Sequence, residues 1–210
     1  MIFDTAFIIT ALVTMFVVID PIGIAPLFLA LTRGMTPARR RRVAIRATGT
    51  AAIVLALFAF FGEALLGFVG ISMAAFRIAG GILLFLTALD MLFERRTKRR
   101  EDKTGDEHAE DPAIFPLAIP LIAGPGAIAS VILLMGERPG IEGMITVLGI
   151  TALTLVVLTL ILMASSVLDR AIGKTGIDVI TRILGMLLAA LSVQFVLDGL
   201  AAFGFGPGLG

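Results

Sequence analysis

The sequence predicts an all-α polytopic membrane protein with six transmembrane helices. Apolar residues make up 58% of its 210 residues, and its mean hydropathy of +1.05 lies far above that of ordinary soluble domains. Apolar runs of about 20 residues, the length that crosses a hydrocarbon layer of roughly 30 Å, occur six times along the chain. They cover approximately residues 6–31, 47–66, 71–93, 114–135, 144–168 and 177–203.

Basic residues lie mainly in alternate connections between these spans, and this distribution predicts the orientation of the chain. In the connections on the other side, Arg138 is the only basic residue. By the positive-inside rule, the basic connections face the cytoplasm and both termini lie outside. The basic residues are Arg33, Arg39, Arg40, Arg41, Arg42 and Arg46 after span 1, a cluster from Arg95 to Lys103 after span 3, and Arg170 and Lys174 after span 5.

Two halves of three spans each are predicted to form an inverted repeat. Residues 1–93 make the first half, residues 113–210 make the second, and residues 94–112 form a charged cytoplasmic linker. The third span of each half opens alike, with Arg77-Ile78-Ala79-Gly80 and Arg182-Ile183-Leu184-Gly185. Because three is an odd number of spans, the second half enters the membrane from the opposite face. Acidic and basic residues interleave in the linker, which argues against nucleic-acid binding.

Spans 1 and 4 each contain a proline-rich break, and these two breaks indicate where the protein acts. Span 1 contains Pro21 and Pro26 with Gly23 between them, and span 4 contains Pro120 and Pro125 with Gly124 beside them. A proline inside a helix removes one backbone hydrogen bond and obstructs another, and unpaired backbone groups are costly in hydrocarbon. Matching breaks in two halves of a membrane protein therefore predict a binding site at membrane depth.

Asp20, directly before Pro21, is the first candidate binding residue. A carboxylate at this depth costs at least roughly 2.5–3.5 kcal/mol, so we expect it to bind a substrate ammonium group or to carry a coupling proton. Its alternative role is to cap the following half-helix, and the two roles are compatible. Thr10 and Thr14 lie one turn apart on the first half-helix and are candidates to line the same site.

The second break has no bulky side chain in the segment Ala123-Gly124-Pro125-Gly126-Ala127. Its backbone can approach a small ligand, and the first amides of the following half-helix form a positive end that attracts a carboxylate. Close packing between helices is the alternative use of small residues. The predicted substrate-binding residues of both breaks are Asp20, Pro21, Gly23, Gly124, Pro125, Gly126, Ala127 and Thr14.

Arg77 and Arg182 occupy matching positions near opposite faces of the membrane. Each arginine either extends to the nearest lipid headgroups or pairs with intramembrane acids or carbonyls and acts as a gate. The chain has no cysteine, and its one histidine, His108, lies in the polar linker. We therefore expect no disulfide and no metal site.

The two proline-containing motifs resemble the signatures of the MarC family, also called the six-span neutral amino acid transporter family. The resemblance covers nearly the whole chain, but Ile24 stands where asparagine is expected in the family. It implies a multi-pass protein of a bacterial or archaeal inner membrane, with alanine or glycine as cargo. The motifs are Ile19-Asp20-Pro21-Ile22-Gly23 with Pro26, and Pro116-Leu117-Ala118-Ile119-Pro120-Leu121-Ile122-Ala123-Gly124-Pro125-Gly126-Ala127-Ile128.

The leading functional hypothesis is a secondary transporter that moves a small neutral amino acid by alternating access. No cofactor is expected, and H⁺ or Na⁺ is the candidate coupling ion. The chain has no Gly-rich loop ending in Lys-Ser or Lys-Thr that would bind a nucleotide. A channel for small polar solutes is the nearest alternative, followed by an intramembrane enzyme or an assembly factor. The spans contain no histidine or cysteine, so we expect no enzyme, and we leave open whether the protein forms an oligomer.

Overall fold

The computed structural model describes residues 5–93 and 112–205. Within these ranges every regular element is a helix, and the predicted all-α class is confirmed. The segment α5 is irregular, and α8 is interrupted at Gly173, whose φ of 67° lies in the left-handed region. The helices are α1 (Thr5–Ile19), α2 (Pro21–Leu31), α3 (Pro37–Val69), α4 (Met73–Leu92), α5 (Ala113–Ile122), α6 (Pro125–Glu137), α7 (Ile141–Met163) and α8 (Ser165–Ala202).

The described helices include enough long apolar segments for six membrane spans. Five segments are long and apolar enough to cross a membrane, namely Thr5–Leu31, Pro37–Val69, Met73–Leu92, Ile141–Met163 and Thr175–Ala202. The pair α5 and α6, bent by 52° at their junction, completes a sixth. Large apolar side chains such as Ile53, Phe60 and Phe61 are exposed on the outer surface of α3. A surface of this kind is stable in contact with lipid tails rather than with water.

The boundaries of two helices differ from the sequence-based expectation. The helix α3 begins at Pro37, well before residue 47, because Thr36 accepts a hydrogen bond from the Arg39 amide at 3.4 Å and Pro37 occupies the first helical position. The arginines from Arg39 to Arg42 therefore lie on a helix and not in a loop. Arg170 also lies on a helix, in the part of α8 that precedes Gly173. The prediction that these arginines lie in loops is wrong.

The helices α4 and α8 pack closely and antiparallel, through glycines. A side chain on Gly81 would meet the Ser192 carbonyl oxygen at 2.8 Å, and one on Gly199 would meet the Ala74 carbonyl oxygen at 3.0 Å. Gly185, from the second Arg-Ile-x-Gly motif, lies against Met91 of α4. Small residues allow membrane helices to approach in this way, so the glycine of that motif has a packing role.

The two halves interleave in a pattern that exchanges equivalent elements. The half-helix α2 packs against α7 and α8, and the half-helix α6 packs against α3 and α4. The second spans of the halves, α3 and α7, are joined by a hydrogen bond of 2.9 Å between the hydroxyls of Thr159 and Thr48. This exchange symmetry is what the predicted inverted repeat would produce. The predicted linker, residues 94–111 in particular, lies outside the described residues.

The bundle has two ends that differ in basic residues. We call the end that holds residues 70–72, residues 138–140 and the C-terminus of α8 the arginine-poor end. The start of α1 lies there too, since the Arg138 guanidinium stands 5.7 Å from the centre of the Phe7 ring. The opposite end, which we call the arginine-rich end, holds the run from Arg39 to Arg42.

Candidate functional site: two facing breaks and a pocket

The first break is confined to one residue. Asp20 has φ 56° and ψ 63°, a left-handed conformation that is uncommon for a residue other than glycine. Its amide still donates to the Phe16 carbonyl at 3.0 Å, and its own carbonyl accepts from the Ile24 amide at 3.1 Å. The backbone therefore turns at Asp20 while the helical hydrogen bonds on both sides continue.

The Asp20 carboxylate caps the half-helix that follows the first break. Its Oδ1 accepts a hydrogen bond of 3.0 Å from the Gly23 amide, and Pro21 fills the first position of α2, where its missing amide hydrogen is no loss. Asp20 is fully buried. A β-carbon on Gly23 would collide with the Asp20 carboxylate, so this glycine provides the space that the cap occupies.

The second break extends over a longer and less regular segment. Phe115 and Ile119 have extended backbone angles inside α5, and the peptide bonds that follow them, to Pro116 and Pro120, are cis. Backbone hydrogen bonds here span five residues, as in a π-helix, instead of the four of an α-helix. One example is the 2.9 Å hydrogen bond that the Ala123 amide donates to the Ala118 carbonyl. The chain then bends by 52° into α6.

No side chain caps the half-helix that follows the second break. Gly124 is its N-cap and Pro125 its first residue, so the cap position has no side chain to accept a hydrogen bond from the next amides. Gly126 and Ala127, which carry those amides, are buried. A β-carbon on Gly124 would collide with the Pro120 carbonyl oxygen, so the backbone itself excludes a larger residue at this position.

Pro21 and Pro125 have the same place relative to the helices that follow the two breaks. Pro21 and Pro125 each begin a half-helix, preceded by Asp20 and Gly124 as N-caps. Pro26 lies inside α2 without ending it. If the two halves form the predicted repeat, Pro21 therefore corresponds to Pro125 and not to Pro120.

The two breaks contact each other at Gly126. A β-carbon at this position would lie 3.4 Å from Val18 Cγ1, 3.4 Å from Leu84 Cδ2 and 3.6 Å from Thr87 Oγ1. Val18 stands two residues before Asp20 on α1, so the uncapped start of α6 lies against the end of the first half-helix. The structure thus brings the two predicted parts of the site together, and adds Thr87 of α4, which the sequence did not suggest.

Two buried hydroxyls lie between this contact and the arginine-poor end. Thr14 stands one turn before Val18 on the same face of α1, and Ser130 stands one turn after Gly126 on the same face of α6. Because α1 and α6 run antiparallel, both hydroxyls lie about 6 Å from the contact in the same direction. Both residues are fully buried, and neither Oγ has a hydrogen-bond partner in residues 5–93 and 112–205. Thr14 was predicted to line the site, and Ser130 was not.

A pocket of about 450 Å³ lies at the arginine-poor end. Its volume falls within the range of about 300–1,000 Å³ that is usual for small-molecule sites. Charged and polar side chains contributed by four helices line it. They are Thr10 of α1, Arg77 of α4, Glu137 of α6, and Gln194 and Asp198 of α8.

The two arginines singled out in the sequence have different surroundings. Arg77 is half-buried in the pocket, and its Nε is buried without a hydrogen-bond partner in the part of the chain that the structure describes. Arg182 is exposed on α8. Glu137, which is half-buried and close enough to Arg77 to interact electrostatically, was missed because a single acid at the end of a span resembles an ordinary interfacial residue.

Comparison with known proteins identifies relatives over almost the whole chain. The model of the MarC family, described as integral membrane proteins, matches residues 5–203. A UPF0056 membrane protein of Methanocaldococcus jannaschii is 40% identical over 207 residues, which cover 94% of this chain and 97% of the relative. The UPF0056 inner membrane protein YhgN of Escherichia coli is 34% identical over 195 residues, covering 92% and 95%. No solved structure matches the chain.

Proposed function

The chain belongs to the MarC family of integral membrane proteins, and we propose that it is a secondary transporter that moves a small neutral amino acid, such as alanine or glycine, by alternating access. The substrate binds where the two breaks meet, near the middle of the membrane. The protein lies in the cytoplasmic membrane, in keeping with the Escherichia coli relative, an inner membrane protein.

One observation carries this proposal, namely the difference between the two N-caps. The Gly23 amide at the start of α2 donates to the Asp20 carboxylate, whereas the equivalent amides of α6 have no accepting side chain in the part of the chain that the structure describes. Both groups of amides are the positive ends of helix dipoles. The carboxylate of an amino acid would cap α6 as Asp20 caps α2, and it would enter a site whose walls are Val18, Leu84 and Thr87.

The ammonium group of the substrate requires a negative partner, and Asp20 is the buried carboxylate nearest in sequence to the contact between the breaks. Asp20 or the carbonyls of the first break would hold either this ammonium group or a coupling ion, H⁺ or Na⁺. Such half-helix pairs hold substrate and ion in secondary transporters of several folds. Movement of one half against the other would open the site to each side in turn.

A channel and an enzyme are the rival proposals. A channel requires a continuous hydrated path, whereas the side chains around the contact, including Val18, Ile19 and Leu84, are almost fully buried. The described residues contain no cluster of three potential metal-binding side chains. We propose a carrier, and counterflow separates a carrier from a channel.

Counterflow in proteoliposomes tests the proposal. Vesicles are preloaded with unlabelled alanine, and labelled alanine is added outside. We expect transient accumulation with the natural chain, and loss of accumulation with Asp20→Asn and with Gly126→Leu, because a leucine side chain would collide with Val18 and Leu84. Gly149→Leu is the matched control, since Gly149 is exposed on α7 with open space around it.

The outcomes distinguish a carrier from its rivals. Accumulation that survives in Gly126→Leu places transport elsewhere than at the contact between the breaks. Flux without counterflow indicates a channel. No flux of alanine or glycine in folded protein rejects small neutral amino acids as the cargo.

We propose that both termini face outside, since the arginine-rich end is expected in the cytoplasm. The chain has no cysteine, so single cysteines can be introduced without background. Glu142→Cys, at an exposed position of the arginine-poor end, should react with an impermeant maleimide on intact cells. Ala38→Cys, exposed at the other end, should react only after the cells are opened. The reverse pattern would reject this orientation.

A further inference from the structure

We propose that the pocket lined by Arg77, Glu137 and Asp198 is a second binding site, which receives the zwitterion at the arginine-poor end before it reaches the breaks. The charge pattern of the pocket is the first reason. It combines one guanidinium with two carboxylates, and it adds the Thr10 hydroxyl and the Gln194 amide. An α-amino acid carries one negative and one positive group and is therefore complementary to such a lining.

The second reason is that Arg77 has a donor available to bind a ligand. Its buried Nε has no hydrogen-bond partner among the described residues, although Glu137 is close enough to attract the guanidinium. A buried donor without an acceptor is unfavourable by itself. A ligand carboxylate can accept from the guanidinium in a bidentate arrangement, which is the geometry that arginine favours.

The acidic side of the pocket suits the ammonium group. Glu137 and Asp198 both line the pocket, and Asp198 Oδ1 accepts a hydrogen bond of 2.7 Å from Gln194 Nε2. A positive group bound in the pocket would be attracted by both carboxylates. The zwitterion would thus bind with its carboxylate towards Arg77 and its ammonium group towards Glu137 and Asp198.

The third reason is that polar groups connect the pocket with the breaks. Thr10 lines the pocket, Thr14 lies one turn deeper, and Val18 at the contact lies one turn deeper again. On α6 the corresponding route runs from Glu137 over about two turns to Ser130, and over one further turn to Gly126. The pocket therefore lies about 12 Å from the contact between the breaks along α1 and about 17 Å along α6. These two helices carry the buried hydroxyls of Thr14 and Ser130, which have no hydrogen-bond partner among the described residues.

This inference rests on the proposed function for the kind of ligand, but it makes a separate prediction about binding. Binding of labelled alanine to the purified full chain in nanodiscs is measured by equilibrium dialysis, first in Gly126→Leu, in which the site at the breaks is filled. We expect alanine to bind this variant and to be displaced both by propionate, which has only the carboxylate, and by ethylamine, which has only the ammonium group.

Variants of the pocket test the assignment of each charge. Arg77→Gln should weaken alanine binding at least about tenfold, because a hydrogen bond to a charged group is lost, and it should abolish displacement by propionate. Glu137→Gln with Asp198→Asn should instead abolish displacement by ethylamine. The controls are Arg138→Gln and Glu142→Gln, which change exposed charges at the same end of the bundle and should leave binding unchanged.

The results separate the failure of this inference from the failure of the proposed function. If the natural chain shows counterflow but alanine binding to the natural chain is unaffected by Arg77→Gln, the second site is rejected and the transporter stands. If alanine binds in an Arg77-dependent manner but no counterflow occurs, the pocket is a binding site and the transporter is rejected. Should Gly126→Leu fail to fold, the same comparison of Arg77→Gln with Arg138→Gln in the natural background decides the question.

Discussion

The two breaks differ in what satisfies the amides of the half-helix that follows. At the first break a buried carboxylate, Asp20, accepts from the Gly23 amide, and the neighbouring glycine leaves space for it. At the second break the cap is Gly124, which has no side chain to offer. The half-helix after the first break is therefore capped by the chain itself, whereas the half-helix after the second break can be capped by a ligand.

The shapes of the two spans also differ. With its cap in place, the first break needs one left-handed residue, and Thr5–Leu31 remains a single apolar span. The second span is irregular over Ala113–Ile122 and bends by 52°. A half-helix with uncapped, buried amides at a bend is a suitable place for an anionic ligand group. A capped half-helix is suited to support such a site. Under the proposed function, the first break supports the site and the second break binds the ligand.

Replacing Gly23 with alanine should give the largest effect, because it disrupts the Asp20 cap at the first break. The new β-carbon collides with the Asp20 carboxylate, so the cap is lost and a buried charge loses a partner. We expect the free energy of unfolding to fall by at least about 2 kcal/mol and counterflow to disappear. Thermal unfolding in detergent, followed by size-exclusion chromatography, measures the first effect.

Two matched glycines serve as controls for Gly23→Ala. In Gly126→Ala the β-carbon meets Val18 and Leu84 at 3.4 Å, an ordinary contact, so stability should change by less than about 1 kcal/mol. Gly149→Ala enters open space on a helix and should stabilise by up to about 1 kcal/mol. Equal losses in all three variants would contradict the special role of Gly23.

Asp20→Asn and Asp20→Ala separate capping from charge, with a smaller expected effect on stability. The asparagine oxygen can still accept from the Gly23 amide, so stability should change by less than about 1 kcal/mol, whereas alanine should lose about 1–2 kcal/mol. Both variants should abolish counterflow if the charge holds the substrate or the ion. Counterflow that persists in Asp20→Asn would show that Asp20 is a cap and nothing more.

The sequence was sufficient for the class of the fold and for the location of both breaks. Prolines in apolar runs have a direct steric effect on the backbone, so Asp20-Pro21 and Gly124-Pro125 could be found without a structure. The start of α3 could not be found in this way, because the arginines after Pro37 have high helix propensity but were assigned by charge to a loop. Two local signals, the Thr36 cap and Pro37 at the first helical position, determine where α3 begins.

The pocket could not be predicted because it is assembled from residues far apart in the chain. Arg77 and Glu137 come from different halves, and Asp198 comes from the last span. Each residue alone has an ordinary explanation at the end of a helix. Only the antiparallel packing of α1 with α6 and of α4 with α8 brings them to one end of the bundle. The pairing of Thr14 with Ser130 at the same depth depends on the same packing.

Ser130→Ala should give the smallest effect on stability and should sharpen the comparison from the side of the second break. The Ser130 hydroxyl is buried without a hydrogen-bond partner in the described chain, so its removal should leave the free energy of unfolding unchanged or raise it by up to about 1 kcal/mol. If the hydroxyl instead serves a ligand that passes towards the breaks, counterflow should slow by roughly 2- to 10-fold, the effect of one neutral hydrogen bond. Ser192→Ala is the control, since the Ser192 hydroxyl is equally buried but already donates to the Ala189 carbonyl at 2.7 Å. That variant should lose a little stability and keep its transport rate, and a reversed order of the two variants would remove Ser130 from the route.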